Sequence, residues 1–341
     1  MSAARIIDAN TPALISERYR LEAELGRGGM AAVYRAVDEV TGQVVALKKL
    51  ESSRPNAAVL FDREYRTLAS LEHPRVIRVF DFGIAEDGGR YYTMEFLDGE
   101  DLHGLAPVQW RKLCEYVRDV ATSLLLLHAR RLVHRDVSPR NVRFDAAGRA
   151  KLLDFGALAP FGLASDIVGT PACSAPEVFR QEELNQRTDL FSLGVVAYWA
   201  LTKQKPYPIQ HFKDVERAYE SPPTPAAELV PDIPKALDKL LSSMLSIDPL
   251  ARPASAAEVI DRLGAIAELD DQPLTGIAES HLSSSDLIGR DREKAQLEQH
   301  LERAQRGEGG VVVVEAAAGM GRSRMASELM IQARLSGVTA L

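Results

Sequence analysis

The sequence predicts an α+β chain: a strand-rich half with one helix, then a larger helical half, then a short α/β stretch. Three observations predict this. Short apolar runs separated by glycine turns fill residues 19–96, and apolar residues at helical spacing dominate from Val108 onward. Between Asp270 and Asp286 the composition shifts to Asp, Ser and Gly, which is linker chemistry, and a new pattern begins at Leu287.

Taken in order, Arg20 to Leu25 reads as a strand leading into the turn Gly26-Arg27-Gly28-Gly29, and apolar residues resume at Ala31 to Val37. Thr41-Gly42 turns the chain into a strand from Val44 to Leu50. Phe61, Tyr65, Leu68 and Leu71 are spaced as one face of a helix. Val76 to Phe82 and Arg90 to Phe96 read as two further strands, so the first half predicts an antiparallel sheet with one helix. Helices follow at Val108 to His128, Leu190 to Leu201, Lys235 to Ser246 and Ala254 to Leu269. Beyond Leu287 come a helix, a strand of four valines (Val311 to Val314), a small-residue loop and another helix.

Composition narrows the function. With 46% hydrophobic and 26% charged residues in 341, the chain has the makings of a full globular core. A net charge of -7 and the lack of a basic stripe argue against a nucleic-acid partner. Cys114 and Cys173 lie far apart, without metal-ligand spacing, as ordinary thiols of a reducing compartment do. Residues 1–17 lack the apolar core of a signal peptide. The apolar run Leu190 to Leu201 is shorter than the roughly 20 residues a bilayer demands. A cytoplasmic protein without a membrane segment is the expectation.

Five groups carry chemistry. Gly26-Arg27-Gly28-Gly29-Met30-Ala31-Ala32-Val33 joins two strands, and its bare backbone suits either a phosphate or a plain hairpin turn. Val45-Ala46-Leu47-Lys48 puts a lysine in an apolar strand; pointing inward it needs an anion, which Glu64 can supply, and otherwise it faces solvent. His134-Arg135-Asp136-Val137-Ser138-Pro139-Arg140-Asn141 sets an Asp and an Asn on one loop, able to take a hydroxyl proton and to ligate a metal. Asp154-Phe155-Gly156 follows the apolar run Ala150 to Leu153 and offers a second metal ligand. Gly169-Thr170-Pro171 and Ala175-Pro176-Glu177 complete the set.

In this order, over about Arg18 to Leu269, the groups resemble the eukaryotic-like protein kinases of bacteria. The resemblance implies a bilobal fold, with an N-lobe over 18–97 and a C-lobe over 98–269, after a tail at 1–17. It implies ATP with Mg²⁺ (Mn²⁺ as an alternative ion), protein substrates, and transfer to Ser/Thr hydroxyls, autophosphorylation included. Lys48 would hold the ATP phosphates and pair with Glu64, Asp136 would be the catalytic base, and Asn141 and Asp154 would hold the metal. Gly26, Gly28, Val33, Ala46, Met94, Glu95, Leu97, Asp101 and Arg143 would line the nucleotide, Met94 as gatekeeper and Asp101 at the ribose. Asp189 would brace the catalytic loop, and Glu177 would pair with Arg252.

The chain departs from that pattern. Ala31 replaces a glycine of the loop. Ser138 stands where these kinases usually carry lysine, with Arg140 as the substitute charge. Arg143 replaces the aliphatic floor of the adenine, its stem covering the ring or its guanidinium stacking on it, unless Val142 or Phe144 packs there instead. Asp166 lies where many kinases carry an activating phosphothreonine; it either stands in for that phosphate against Arg135 or is a solvent-facing acid.

After the expected linker at 270–286, residues 287–341 resemble the start of an AAA-like P-loop ATPase module. Ala316-Ala317-Ala318-Gly319-Met320-Gly321-Arg322-Ser323 has Ala316 for the first glycine and Arg322 for the lysine, so the segment is expected to be an incomplete module, loosely ordered or packed on the kinase. The rival function is a pseudokinase scaffold that binds nucleotide and regulates a C-terminal ATPase module.

Overall fold

The computed structural model describes residues 5–6, 14–54, 56–71, 73–163, 166–209, 214–270, 290–315 and 322–338. The chain divides into two compact units, one formed by Met1–Glu72, Arg78–Phe96 and Glu279–Leu341, the other by His73–Ile77 and Leu97–Ala278.

The first unit is built on an antiparallel sheet. Its strands are β1 (Arg5–Ile6), β2 (Leu14–Ile15), β3 (Tyr19–Arg27), β4 (Ala31–Asp38), β5 (Val44–Leu50), β6 (Val79–Ile84) and β7 (Arg90–Glu95), in the order β1-β3-β4-β5-β7-β6 with β2 also on β3. Strands β1 and β2 lie within the stretch expected to be a tail, and both pair with β3. Alternation buries Ala32, Tyr34, Ala36, Val45 and Leu47 in a core shared with Tyr19, Leu21 and Tyr91. Between β5 and β6, α1 (Ala57–Ala69) turns Phe61 and Tyr65 onto Phe82 and Tyr92, with ring centroids 5.1–6.2 Å apart.

The expected strand Val76 to Phe82 starts later, at Val79. Val76 instead makes an isolated parallel bridge to Leu152, and Val76 and Ile77 are buried as part of the second unit.

In the second unit α2 (Leu102–Leu105) and α3 (Trp110–Ala129) precede short antiparallel pairs: β8 (Leu132–Val133), β9 (Val142–Phe144) and β10 (Ala150–Leu152), then β11 (Ala159–Pro160) on β8. Strand β12 (Gly162–Leu163) pairs with β13 (Glu183–Leu184). Helix α4 (Pro176–Phe179) leads to α5 (Gln186–Thr202), which starts on a capping box between Asn185 and Thr188. As its run of apolar residues requires, α5 is buried nearly all round. Helices α6 (Val215–Ala218), α7 (Ala226–Leu229), α8 (Lys235–Met244) and α9 (Ala256–Ala267) finish this unit. Among the described residues no helix is long and apolar enough to cross a membrane.

Two C-terminal helices, α10 (Asp291–Gln305) and α11 (Arg322–Leu335), belong to the first unit. The valine run between them is not the expected strand. Val311, Val312, Val313 and Val314 are 90%, 43%, 73% and 39% exposed, and no strand among the described residues pairs with them. Apolar β-branched residues favour a strand only where a neighbour takes their N–H and C=O groups. Apart from Asp270, the expected linker lies outside the described residues, as does the small-residue loop up to 321, while its last two residues, Arg322 and Ser323, open α11.

Candidate active site

Lys48 sits in the middle of β5, opposite Val33 on β4 and Tyr92 on β7. It points inward: its Nζ is 2.7 Å from Glu64 Oε1 on α1, and both residues are buried. Lys49, facing the other way, pairs with Asp87. A buried lysine demands this kind of partner, because an uncompensated charge there costs several kcal/mol, about 3–5.

The turn between β3 and β4 is closed by the Gly28 amide donating to the Ala31 carbonyl at 2.9 Å. A Cβ at Gly26 or Gly29 would meet no protein atom within 4 Å. These glycines therefore answer no packing need of the fold, and they leave bare backbone for a phosphate to approach. Ala46 is buried and lies directly opposite Met94 across β5 and β7, while Val33 and Glu95 are half-buried. Glu95 Oε1 accepts from the Arg78 amide at 2.8 Å.

In the second unit the loop after β8 is anchored from beneath. Asp189, in the first turn of α5 and fully buried, accepts from the His134 amide at 2.8 Å and the Arg135 amide at 3.0 Å, and lies 2.9 Å from His128 Nε2. Burial holds the His134 imidazole below its usual pKa, against the pull of Asp189, Asp136 and Asp154. Above this floor the Asp136 carboxylate takes three donors. Asn141 Nδ2 reaches one oxygen at 2.8 Å, while the Thr170 amide at 2.9 Å and hydroxyl at 2.8 Å reach the other. A carboxylate so held is fixed in orientation, as a base must be before a hydroxyl can present its proton.

Because the Asn141 amino group faces Asp136, its amide oxygen faces away. The Leu153 amide donates to the Asn141 carbonyl at 2.7 Å, tying the two loops together just ahead of Asp154. Asp154 is exposed, in the left-handed region (φ 60°), with buried Phe155 as its anchor. The carboxylate of Asp154 and the amide oxygen of Asn141 are hard oxygen donors. No group of three His, Cys, Asp or Glu side chains that could hold a metal occurs among the described residues. A sparse pair of this kind fits Mg²⁺, which takes one or two protein ligands and fills its remaining positions with phosphate and water.

Leu97 is buried, and Asp101 uses its carboxylate to cap α2, accepting from the Gly104 amide at 2.8 Å. Arg143 is half-buried on β9, its backbone bridging Asp101 and its Nε donating to the Gly99 carbonyl at 2.8 Å. Its guanidinium is thus committed to a backbone oxygen, while Val142 and Phe144 are buried on the opposite face. Ser138 is buried and Arg140 exposed.

Arg135 has a positive φ of 66° and spreads its guanidinium over two segments. Nε donates to the Ala157 carbonyl at 2.6 Å, and Nη1 to Asp166 Oδ1 at 2.9 Å. Gly169, with φ 101°, passes so close that a Cβ would lie 2.3 Å from the Arg135 carbonyl oxygen. That approach delivers Thr170 to Asp136, a role the sequence reading did not assign; a glycine directly before a hydroxyl residue was the available signal. His128 was also missed, since the end of a helix beside β8 carries no mark of its own. Glu177 and Arg252 form the expected buried pair, with two bonds of 2.7 and 2.9 Å.

A family model described as protein kinase domain matches residues 19–262. Over 266 residues, 71% of this chain and 48% of the relative, the sequence is 33% identical to serine/threonine-protein kinase pkn3 of Myxococcus xanthus. It is 35% identical over 272 residues (75% of this chain, 40% of the relative) to the DNA damage-responsive serine/threonine-protein kinase RqkA of Deinococcus radiodurans. It is 32% identical over 268 residues (74% and 62%) to serine/threonine-protein kinase PknA of Mycobacterium tuberculosis. The matched stretch thus spans from 40% to 62% of these relatives' length.

Proposed function

Because this chain belongs to the protein kinase family, we infer that it transfers the γ-phosphate of ATP to serine or threonine hydroxyls of proteins, itself among them. The observation that carries the reading is the Asp136 carboxylate, immobilised by Asn141 and Thr170 on a loop whose floor is Asp189. In this reading Asp136 accepts the proton of the incoming hydroxyl, and Lys48, kept in place by Glu64, holds the nucleotide phosphates. Arg140 supplies the charge that lysine brings in the usual pattern. Asn141 and Asp154 would hold Mg²⁺, which supplies neutralisation of phosphate charge when bound. Gly26, Gly28, Val33, Ala46, Met94, Glu95, Leu97, Asp101 and Arg143 would line the nucleotide. Arg143 does so with its stem, since its guanidinium is engaged by Gly99.

The proposed kinase domain is 18–269, followed by a linker at 270–286. Residues 287–341 would be part of an AAA-like regulatory module that touches the kinase's own first unit, in a bacterial-type signalling protein of the cytoplasm. The two buried cysteines support a reducing compartment; burial pushes both thiols up to about 12. The Arg135–Asp166 pair supports activity without phosphorylation of the loop.

The test is phosphate transfer from labelled ATP with Mg²⁺, comparing the wild type with Asp136→Ala. Incorporation on Ser or Thr by the wild type alone is expected. Nucleotide binding without incorporation by either would favour the pseudokinase scaffold.

A further inference from the structure

Helix α1 carries Glu64, yet it has little to fix its own start. Its N-cap, Asn56, has a left-handed backbone (φ 68°) and makes no side-chain cap bond, and no acidic residue stands in the first turn. A helix whose start has neither a side-chain cap nor an acidic partner depends more on tertiary contacts for its position. On one side those contacts are Phe61 and Tyr65 against the sheet. On another they come from the far end of the chain.

Arg334 of α11 donates from Nη1 to the Phe80 carbonyl at 2.8 Å and lies 3.5 Å from the Tyr65 hydroxyl. Its Nη2 is 3.9 Å from Asp81, a carboxylate also engaged by Arg18 at 3.1 Å and by the Tyr19 hydroxyl at 2.8 Å. The Tyr65 hydroxyl itself reaches the Phe80 carbonyl at 3.3 Å. Carbonyl, carboxylate and phenol together form an acceptor-rich seat for a guanidinium. One residue along α1, Arg66 Nη2 donates to Gln332 Oε1 at 3.0 Å. Ala333, between these two α11 residues, is buried, and a Cβ on Gly337 would touch Ile84 at 3.6 Å. The two α1 residues engaged by α11 thus follow directly after Glu64.

We propose that α11 braces helix α1, with Arg334 as a positioning residue that acts through Tyr65 and Phe80 to keep Glu64 on Lys48. The seat made by Tyr65, Phe80 and Asp81 takes an arginine from the chain's own C-terminal segment, so the state of that segment sets the fraction of molecules with a competent Lys48. The consequence for phosphate transfer rests on the kinase reading; the brace itself does not.

The test uses the full chain, with Arg334→Ala, Arg334→Lys and Gln332→Ala. Amide hydrogen exchange across residues 57–69 is read alongside kcat and the KM for ATP. Arg334→Ala is expected to speed exchange in 57–69 while leaving 97–278 unchanged. It should lower kcat by about five-fold, the size of one net hydrogen bond. Arg334→Lys keeps one donor to Phe80 and recovers part of both effects. Gln332→Ala moves both in the same direction by less, and it decides the matter if Arg334→Ala lowers the melting temperature of the whole chain. Wild-type exchange in 57–69 in a folded Arg334→Ala protein would overturn the brace, as would a fall in kcat with no change in that exchange. If the wild type transfers no phosphate, the kinase reading falls, and the exchange measurement still decides the brace.

Discussion

Arg135 and Asp166, separated by 31 positions, form an ion pair of 2.9 Å in which the arginine side chain is 7% exposed and the aspartate 56%. The arginine directly precedes Asp136 and also holds the Ala157 carbonyl, so the pair connects the loop at 166 to both parts of the chemical centre. An exposed carboxylate is screened by water and salt, and its contribution is small beside that of a buried one. Asp166→Ala is therefore expected to lower kcat by no more than about five-fold, with Asp166→Glu restoring it. Asp166→Thr should resemble the alanine variant until phosphorylated and exceed the wild type afterwards, because a phosphate brings nearly two charges. Steady-state rates and mass spectrometry of the loop check this.

The Lys48–Glu64 pair separates chemistry from stability. Lys48→Met should cut kcat by at least about 100-fold, as loss of an electrostatic anchor does. It should also destabilise the fold, by up to about 3 kcal/mol, because buried Glu64 loses the Lys48 ammonium. Adding Glu64→Leu is expected to recover most of the stability and none of the activity, as urea titration beside the transfer assay will reveal.

Thr170 gives Asp136 two of its three donors, one from the backbone and one from the hydroxyl. Thr170→Val keeps the first and removes the second, and should lower kcat about ten-fold, the size of a hydrogen bond to a charged group. Thr170→Ser should be close to wild type. A serine variant as slow as the valine one would show that the hydroxyl bond alone does not account for the effect.

His73 offers a pH dependence. Burial, helped by the charges of Arg75 and Lys151, holds its pKa below the ordinary 6.5, and its Nδ1 accepts from the Arg75 amide at 3.1 Å, which only an unprotonated nitrogen can do. As pH falls through 6.5 the unfolded chain binds a proton that the folded chain refuses, so stability falls with acidification. His73→Asn keeps an acceptor for the amide and removes the titration. Urea midpoints between pH 7 and 5.5 should decline less for the variant than for the wild type.

Much of this site was legible because kinase chemistry needs particular residues at particular spacings along one chain. Lys48, Glu64, Asp136, Asn141 and Asp154 could be named from local pattern, and the structure brings Lys48 onto Glu64 and Asn141 onto Asp136. Less legible were contacts that depend on how distant segments meet. Gly169 before Thr170 marks a special backbone position, but nothing local says that its partner is the Arg135 carbonyl, 34 positions earlier. The four valines at 311–314 misled for the complementary reason: propensity describes what a segment favours when a neighbouring strand accepts it, and among the described residues no strand pairs with them. Arg334 and Phe80, 254 positions apart, lay beyond any local signal.

The placement of Asp189 has a consequence for how the enzyme would fail. It belongs to the first turn of α5, the helix buried almost all round, and its carboxylate accepts from two successive amides, those of His134 and Arg135. Local opening is cheap where a loop is held by exposed bonds, and expensive where its anchor is part of the core. Here the His134–Arg135 backbone can let go only if α5 itself comes loose. Within the second unit this loop should therefore have no detached-but-folded stage on heating, and protection of the His134 and Arg135 amides against hydrogen exchange should be lost together with that of α5.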